Sequence, residues 1–194
     1  MTPNTTLEAV NIMLGAIGET PVNSLSAGLM EAEQAETILT QVSRSVQAEG
    51  WSFNRVKDVV LTHNAASGEV VIGADVLSVD SKYEANGENL VQRGLKLYDR
   101  KNRTFNIGKT IKAEVVYELA FADLPAIARN YITLRAARTL QDQTVGADYL
   151  HGVQKRDEDE ALLRLRSVEA ETEDHNVFNN YDVYRVIDRG IYGV

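Results

Sequence analysis

The chain contains one run of four consecutive carboxylates that could carry chemistry, Asp157-Glu158-Asp159-Glu160. On a helix, Asp157 and Glu160 would share a face, and paired carboxylates can serve glycoside hydrolysis or hold a divalent cation. Consecutive helical side chains fan around the axis, however, and no neighbouring group singles out one carboxylate as a proton donor. A solvated acidic helix face is therefore the favoured interpretation, and a glycan or cell-wall hydrolase is the alternative function.

Neither the histidines nor the glycines form an active-site motif. His63, His151 and His175 lack the partner spacing of a metal-binding helix, so solvated or hydrogen-bonded imidazoles are expected. Gly108-Lys109-Thr110 ends like a phosphate-binding loop, but that loop needs glycine at position 103, where this chain has arginine. G-x-G-x-x-G and G-x-S-x-G do not occur. The sequence therefore predicts no catalytic residue, no cofactor and no metal site.

The composition is that of a folded protein of one or two modest domains, with 194 residues, 25% of them charged, and a formal net charge of -8. The chain has no cysteine, which excludes disulfides, thiolate catalysis and Cys-ligated metals, and fits a reducing compartment. No basic residue precedes Arg44, so no secretory signal is expected. No apolar run is long enough to predict a membrane-spanning helix.

Charge is distributed unevenly along the chain. From Lys82 to Lys112 there are 8 basic and 3 acidic residues, whereas residues 154–174 contain 4 basic and 8 acidic residues. Regions of opposite sign favour complementary contacts between subunits or between layers of one subunit, although an ordinary mixed surface is the alternative. The acidic total makes stable nucleic-acid binding unexpected.

Apolar spacing predicts four helices. The first starts at a capping box formed by Thr5 and Glu8 and ends near Ala16, before Gly18 and Pro21. The second ends at Gly50, and its predicted buried stripe is Ala35, Ile38, Leu39, Val42 and Val46. The third runs from Asp123-Leu124-Pro125 to about Gln143, with Ile127, Tyr131, Leu134 and Ala137 or Arg138 on one face. The fourth runs from about Ala147 to Asp174, burying Leu150, Val153, Ala161, Leu162, Leu165 and Val168.

Between the second and third helices the apolar period changes to that of short strands. The candidate strands are Val59-Val60-Leu61, Val70-Val71-Ile72, Leu95-Lys96-Leu97-Tyr98 and residues 111–117. They predict one small antiparallel sheet. The expected fold class is therefore α+β, with a four-helix bundle from residues 1–54 and 120–175 and a β insertion at residues 55–119.

The last segment, residues 176–194, is predicted to be an extended C-terminal docking arm. It is too apolar for a disordered tail and too short for a core of its own. Packing on its own domain and docking on a partner chain are both open. Its aromatic and aliphatic side chains are the candidate interface anchors: Phe178, Tyr181, Tyr184, Ile187 and Tyr192.

Several segments, in order along most of the chain, carry a family resemblance. The first helix closes in Ile17-Gly18-Glu19-Thr20-Pro21-Val22. The second helix contains Ala35, Ile38, Leu39, Arg44 and Gln47, and it is followed by Gly50-Trp51-Ser52-Phe53-Asn54. A strand reads Leu97-Tyr98-Asp99-Arg100, and the last two helices carry Asp123-Leu124-Pro125, Arg129, Ile132, Ala136, Arg138, Gly146 and the acidic run. Together these segments resemble the tail tubular protein A family, the head-to-tail adaptors or gatekeepers of short-tailed phages of the autographivirus type.

The resemblance implies a structural virion protein of the phage tail that is made in the bacterial host cytoplasm. It implies a twelve-subunit ring that joins the portal protein to the tail nozzle, tail tubular protein B, with tail fibres attached near the junction. Such a ring would extend and gate the DNA channel for genome retention and ejection. DNA would pass without sequence-specific binding, and neither enzymatic activity nor membrane contact is implied.

Within such a ring, the acidic run would gain a role if it faced the channel. A negative wall formed by Asp157, Glu158, Asp159 and Glu160 would repel duplex phosphates and let DNA slide. The charge asymmetry of the sequence is what motivates this hypothesis.

Overall fold

The computed structural model describes residues 2–81 and 90–172 and shows an α+β chain in the predicted order of helices, strands and helices. The four α-helices are α1 (Thr6–Ala16), α2 (Met30–Gln47), α3 (Ala126–Thr144) and α4 (Asp148–Thr172). The five strands are β1 (Arg55–Leu61), β2 (Val76–Asp80), β3 (Leu90–Arg93), β4 (Lys96–Asp99) and β5 (Ile111–Tyr117). Short 3-10 turns at Leu25–Ala27 and Phe121–Asp123 precede α2 and α3.

The start of α1 follows the predicted cap with one difference. Thr5 Oγ1 accepts a hydrogen bond from the Glu8 backbone N–H at 3.2 Å, as an N-cap residue does. The Glu8 carboxylate accepts from the N–H of Asn4 at 2.7 Å, one residue before the N-H expected in a capping box. At the other end, Gly18 has φ 84°, a left-handed conformation that glycine adopts without strain.

The helices pack around α3, which contacts α1, α2 and α4, while α1 also contacts α2. The stripe predicted on α2 is confirmed, because Ala35, Ile38, Leu39, Val42 and Val46 are all buried in the helical core. We call this helical part of the molecule the helical unit.

The face predicted for α3 lies against the core, whereas the buried face predicted for α4 needs correction. On α3, Tyr131 and Ala137 are buried, and Ile127 and Leu134 are partly buried against the same core. Because α3 packs against three helices, it also buries further residues: Ala128, Ile132, Thr133, Ala136, Leu140 and Gln141. On α4, Leu150 and Val168 are exposed, and the buried residues are Glu158, Ala161 and Leu165. Because the main helical contact of α4 is with α3, only a narrow stripe of α4 is buried.

The strands form two antiparallel sheets within the described residues, so the single predicted sheet is wrong. The first has the order β1-β5-β2, and the second is the hairpin β3-β4. Bulges interrupt β1 between Val56 and Val59 and β2 between Val76 and Ser78. The predicted strand at residues 70–72 is not a regular strand. Its residues form isolated bridges to different partners, Val70 to His63 and Val71 to Lys96.

The two sheets share a second, smaller hydrophobic cluster. Its buried members are Val70, Ile72, Val76, Leu90, Leu97, Ile111, Ala113 and Val115. We call this part of the molecule the β unit. Its hairpin turn is tight, because Gly94 has φ 61° as the first residue of the two-residue connection between Arg93 and Lys96, as a type II′ turn requires.

Candidate interaction surfaces

Two buried amide side chains join the helical unit to the β unit. The Gln47 side chain, at the end of α2, donates to the Leu119 carbonyl at 3.0 Å and accepts from the Leu119 N–H at 2.7 Å. The Asn54 side chain donates to the carbonyls of Gln47 and Tyr117, at 2.9 Å each, and accepts from the Trp51 N–H at 2.8 Å. These bonds satisfy buried and partly buried backbone groups on both units, so they fix the position at which the end of β5 meets the helices.

The turn between α2 and β1 also receives the end of α4. The Glu169 carboxylate accepts from the Ser52 N–H at 2.7 Å and from the Ser52 hydroxyl at 2.8 Å. Gly50 has φ 74°, a left-handed conformation that favours glycine in this turn. The predicted G-W-S-F-N exit is therefore a junction of three elements, and the sequence did not indicate its partners Leu119 and Glu169.

An ion-pair network attaches the middle of α4 to α3. Arg138 Nε donates to Glu158 Oε2 at 2.5 Å, and Arg138 Nη1 donates to Asp142 at 2.9 Å. The hydrogen bond with Glu158 is the main cause that raises the pKa of Arg138 above its ordinary value. His151 Nδ1 lies 2.8 Å from the other Asp142 oxygen. This network holds α4 beside the apolar contacts of Ala161 and Leu165.

The structure separates the four carboxylates of the acidic run. Glu158 is only 5% exposed and binds Arg138, so it contributes no charge to the surface. Asp157, Asp159 and Glu160 are exposed, and the last two form ion pairs with Lys155 and Arg164. The exposed acidic surface of this helix therefore consists of three carboxylates, two of which have a cation one helical turn away.

The remaining candidate motifs have structural surroundings. Gly108-Lys109-Thr110 lies in the connection before β5, so a strand follows it and not the helix that a phosphate-binding loop requires. The backbone N–H of Gly108 donates to the Gly68 carbonyl. His63 lies at an isolated bridge with Val70, and His175 lies outside the described residues. Within residues 2–81 and 90–172, no group of three or more metal-ligating side chains occurs. In the same part of the chain, no helix is long and apolar enough to cross a membrane.

A turn rich in basic residues, which we call the basic turn (residues 100–103), follows β4. It contains Arg100, Lys101 and Arg103. The Asp99 carboxylate organises it by accepting from the N–H groups of Lys101 and Asn102, at 2.8 and 3.0 Å, and from the Asn102 side chain at 2.7 Å. The backbone bond to Asn102 is the first cause that lowers the pKa of Asp99. The turn is thereby pre-organised with its cations on the surface.

Aromatic side chains flank the basic turn. The rings of Tyr98 and Phe105 meet edge to face with centroids 4.9 Å apart. The Arg93 guanidinium lies 3.7 Å from the centroid of the Tyr98 ring, within cation–π range. The predicted excess of positive charge in this region is thus displayed beside a partly exposed aromatic surface.

The basic turn lies at the end of the β unit that is remote from the helices. Tyr117, at the end of β5, is bonded to Asn54 at the junction, and the opposite end of β5 pairs Ile111 with Leu61. Val76 pairs with Tyr117 and so lies at the junction end of the sheet. Residues 95–97 pair with residues 72–70, and in this direction the chain runs away from Val76. The turn follows β4 in that same direction.

The opposite end of the helical unit, which we call the distal end, exposes large apolar side chains. Both α2 and α4 finish at the junction, where Gln47 and Glu169 are bonded, so both begin far from the β unit. The 18 residues of α2 correspond to about 27 Å of helix. The exposed apolar residues there are Leu29 and Met30 before and at the start of α2, and Val145, Tyr149 and Leu150 around the start of α4.

The predicted interface anchors Phe178, Tyr181, Tyr184, Ile187 and Tyr192 lie outside the described residues. Lys82, Glu84 and Glu88, which entered the charge comparison, lie outside them as well. The surfaces that the structure does describe are therefore the junction, the basic turn, the distal end and the exposed acidic residues of α4.

Comparison with known proteins identifies the family. The chain matches the tail tubular protein family over residues 7–175, which includes every helix except the first residue of α1, and all five strands. It is also 26% identical over 147 residues to tail tubular protein A of Klebsiella phage KP34, an alignment that covers 73% of this chain and 74% of that protein. The chain belongs to the tail tubular protein family, and the resemblance inferred from its sequence is confirmed. It is accordingly a structural protein of a phage tail.

Proposed function

We propose that this protein is a head-to-tail adaptor that assembles into a ring, with twelve subunits, between the portal protein and the tail nozzle. The observation that carries the proposal is the family match across residues 7–175, together with a relative named tail tubular protein A. The ring extends the portal channel, retains the packaged genome and transmits its ejection. Tail fibres attach close to it.

The proposed division of labour follows the two units. The four helices form a bundle from residues 1–54 and 120–175 that is the body of each subunit, and residues 55–119 are an insertion that carries a separate surface. The rigid junction at Gln47 and Asn54 supports this division, because a ring closes only if every subunit presents its surfaces at one fixed angle.

The C-terminal arm is proposed to bind a neighbouring subunit or the portal through Phe178, Tyr181, Tyr184, Ile187 and Tyr192. Truncation after Asp174 should leave a folded protein that no longer enters the ring. Circular dichroism reports the fold and native mass reports the assembly, and unchanged ring formation by the truncated chain would contradict this role of the arm.

The exposed acidic residues of α4 are proposed to face the channel and repel the phosphates of passing DNA. This role rests on Asp157, Asp159 and Glu160, because Glu158 is bound to Arg138. Replacing the three by Asn, Asn and Gln should slow genome ejection and alter its salt dependence. If the variant ejects its genome at the natural rate and with the natural salt dependence, the proposal is contradicted.

The adaptor function itself is tested by native mass measurement of the purified protein, alone and after mixing with the assembled portal of the same phage. Low-resolution imaging of any large species then counts the subunits. A closed ring, formed alone or on the portal, is expected. A chain that stays monomeric and does not bind portal would contradict the proposed function.

A further inference from the structure

Two surfaces at opposite ends of the described chain are complementary in both charge and polarity. Residues 90–112 contain seven Lys or Arg side chains and one carboxylate, that of Asp99. The basic turn displays part of this charge, and Phe105 beside it is partly exposed. Residues 2–43 contain no Lys or Arg, so every charged side chain at the start of α2 is a carboxylate. The two surfaces therefore carry opposite signs.

The distal end pairs this negative charge with exposed apolar area. Met30 is 77% exposed and Tyr149 is 81% exposed, and both stand at helix starts. The carboxylates of Glu31, Glu33 and Asp148 lie in the first turns of the same two helices. At each of these helix starts, exposed apolar side chains therefore stand near carboxylates, and apolar surface bordered by polar groups marks protein interaction sites.

These two surfaces are too far apart to meet within one chain. The basic turn is at the end of the β unit that points away from the junction, and the distal end is separated from the junction by about 27 Å along α2. A contact between two different surfaces on two copies is heterologous, and repetition of it produces a ring when the rotation closes.

We propose that the basic turn of one subunit binds the distal end of the next copy of this chain. Lys101 and Arg103 face the carboxylates of Glu31 and Glu33, while Phe105 and Tyr98 pack near Met30 and its apolar neighbours. This inference rests on the proposed ring and specifies which surfaces build it. Because residues 2–43 contain no Lys or Arg, Glu31 and Glu33 have no cation in their own segment to compete with the basic turn.

A charge-swap experiment tests the contact. The double variant Lys101→Glu/Arg103→Glu should weaken association between subunits about tenfold or more, measured by sedimentation velocity over a concentration series. Adding Glu31→Lys/Glu33→Lys to the same chain should restore association, because the charges are again opposite. The matched control Lys57→Glu/Arg156→Glu changes the net charge equally at exposed sites outside both surfaces and should leave association within about twofold.

Site-directed crosslinking keeps the test valid if a reversed charge disturbs the turn. The chain has no cysteine, so Arg103→Cys and Met30→Cys can be made in separate, otherwise natural chains. A mixture of the two treated with a short bis-maleimide should yield a mixed dimer, and a mixture of Lys57→Cys with Met30→Cys should not. Absence of the mixed dimer under conditions in which rings form would overturn the proposal.

The outcomes separate this contact from the adaptor function. Rings that still form with the reversed basic turn, with no crosslink between positions 103 and 30, would overturn the contact and leave the adaptor function standing. The same holds if distal-end variants lose only portal binding. A natural chain that never assembles, alone or with portal, would overturn both. Restored association with the crosslink would establish the contact.

Discussion

The helical unit and the β unit are held together by different kinds of interaction. In the helical unit, a continuous apolar core of 21 buried residues connects all four helices. In the β unit, only eight buried residues form the cluster, and its loops depend on side-chain bonds such as those of Asp99. Apolar packing tolerates small shifts of each contact. The turn after β4 is closed by two backbone hydrogen bonds between Asp99 and Thr104, and within it the N–H groups of Lys101 and Asn102 depend on the single carboxylate of Asp99.

This difference bears on how an adaptor subunit is built. The larger core makes the helical unit the more stable part, because buried apolar area is the main source of folding free energy. The smaller β unit is connected to it at one end of β5, through the side-chain bonds of Gln47 and Asn54 and the ion pair between Arg44 and Glu118. The surface of the β unit can therefore vary in sequence without disturbing the helical core.

The largest expected effect comes from a cavity in the helical core. Leu140 is fully buried, and Leu140→Ala should lower the free energy of unfolding by about 2–5 kcal/mol. The single tryptophan, Trp51, is part of this core, so its fluorescence during urea unfolding reports the helical unit.

The matched variant for this comparison is Leu97→Ala, the same truncation at a site that is 1% exposed in the β unit. It should leave the Trp51 transition close to that of the natural protein while exposing the β unit to proteolysis. Equal displacement of the Trp51 midpoint by both variants would show that the two units unfold as one.

The second effect, in order of size, concerns the ion pair between α3 and α4. Glu158→Ala leaves Arg138 partly buried without its main partner and should cost about 3 kcal/mol. The exposed neighbour Asp159→Ala should change stability by only about 0.5 kcal/mol. Thermal unfolding followed by circular dichroism measures both. Similar losses for the two variants would mean that the buried pair does not attach α4.

The third effect concerns the junction. Gln47→Ala removes the partners of both backbone groups of Leu119, and leaving these partly buried polar groups unsatisfied should cost about 1–3 kcal/mol. Calorimetry should then show the transitions of the two units moving apart, because the Gln47 bonds are lost while those of Asn54 remain. Gln41→Ala, exposed on the same helix, is the control and should keep the natural profile. A single transition in Gln47→Ala would place the coupling elsewhere.

The helical unit was the more predictable of the two from sequence, for a physical reason. Apolar side chains three and four residues apart define a helix face locally, so the bounds of α1 to α4 and the stripe on α2 are close to those observed. Which face of α4 is covered depends on the neighbouring helices, so Leu150 and Val168 were wrongly expected to be buried. Tertiary packing decides this, and one helix alone does not encode it.

The β unit and the surfaces were less predictable because their determinants are distant in sequence. β2 and β3 were missed, since a bulge interrupts the alternation of β2 and β3 has only four residues. The burial of Glu158 depends on Arg138, 20 residues away, and the pairing of Gln47 with Leu119 spans 72 residues. The excess of basic residues was visible in the sequence, whereas their presentation on a turn organised by Asp99 was not.

The smallest expected effect is on the acid stability of the basic turn, which the Asp99 carboxylate organises. The folded-state pKa of Asp99 is lowered from 3.8, first by the N–H of Asn102, so its carboxylate stabilises the folded β unit above that value. This contribution is lost as the pH falls below 3.8 toward the lowered pKa, because protonation then removes the charge that organises the turn. Asp99→Asn keeps an oxygen acceptor but has no proton to gain, so its β unit should show a weaker loss of stability in acid.

Amide signals of residues 100–104, followed by NMR during acid titration, measure the opening of the turn in both proteins. The helical unit, reported by Trp51, should be unaffected by the substitution. Parallel acid profiles of the turn in the two proteins would show that the basic turn is held by its hairpin pairing and not by the Asp99 carboxylate.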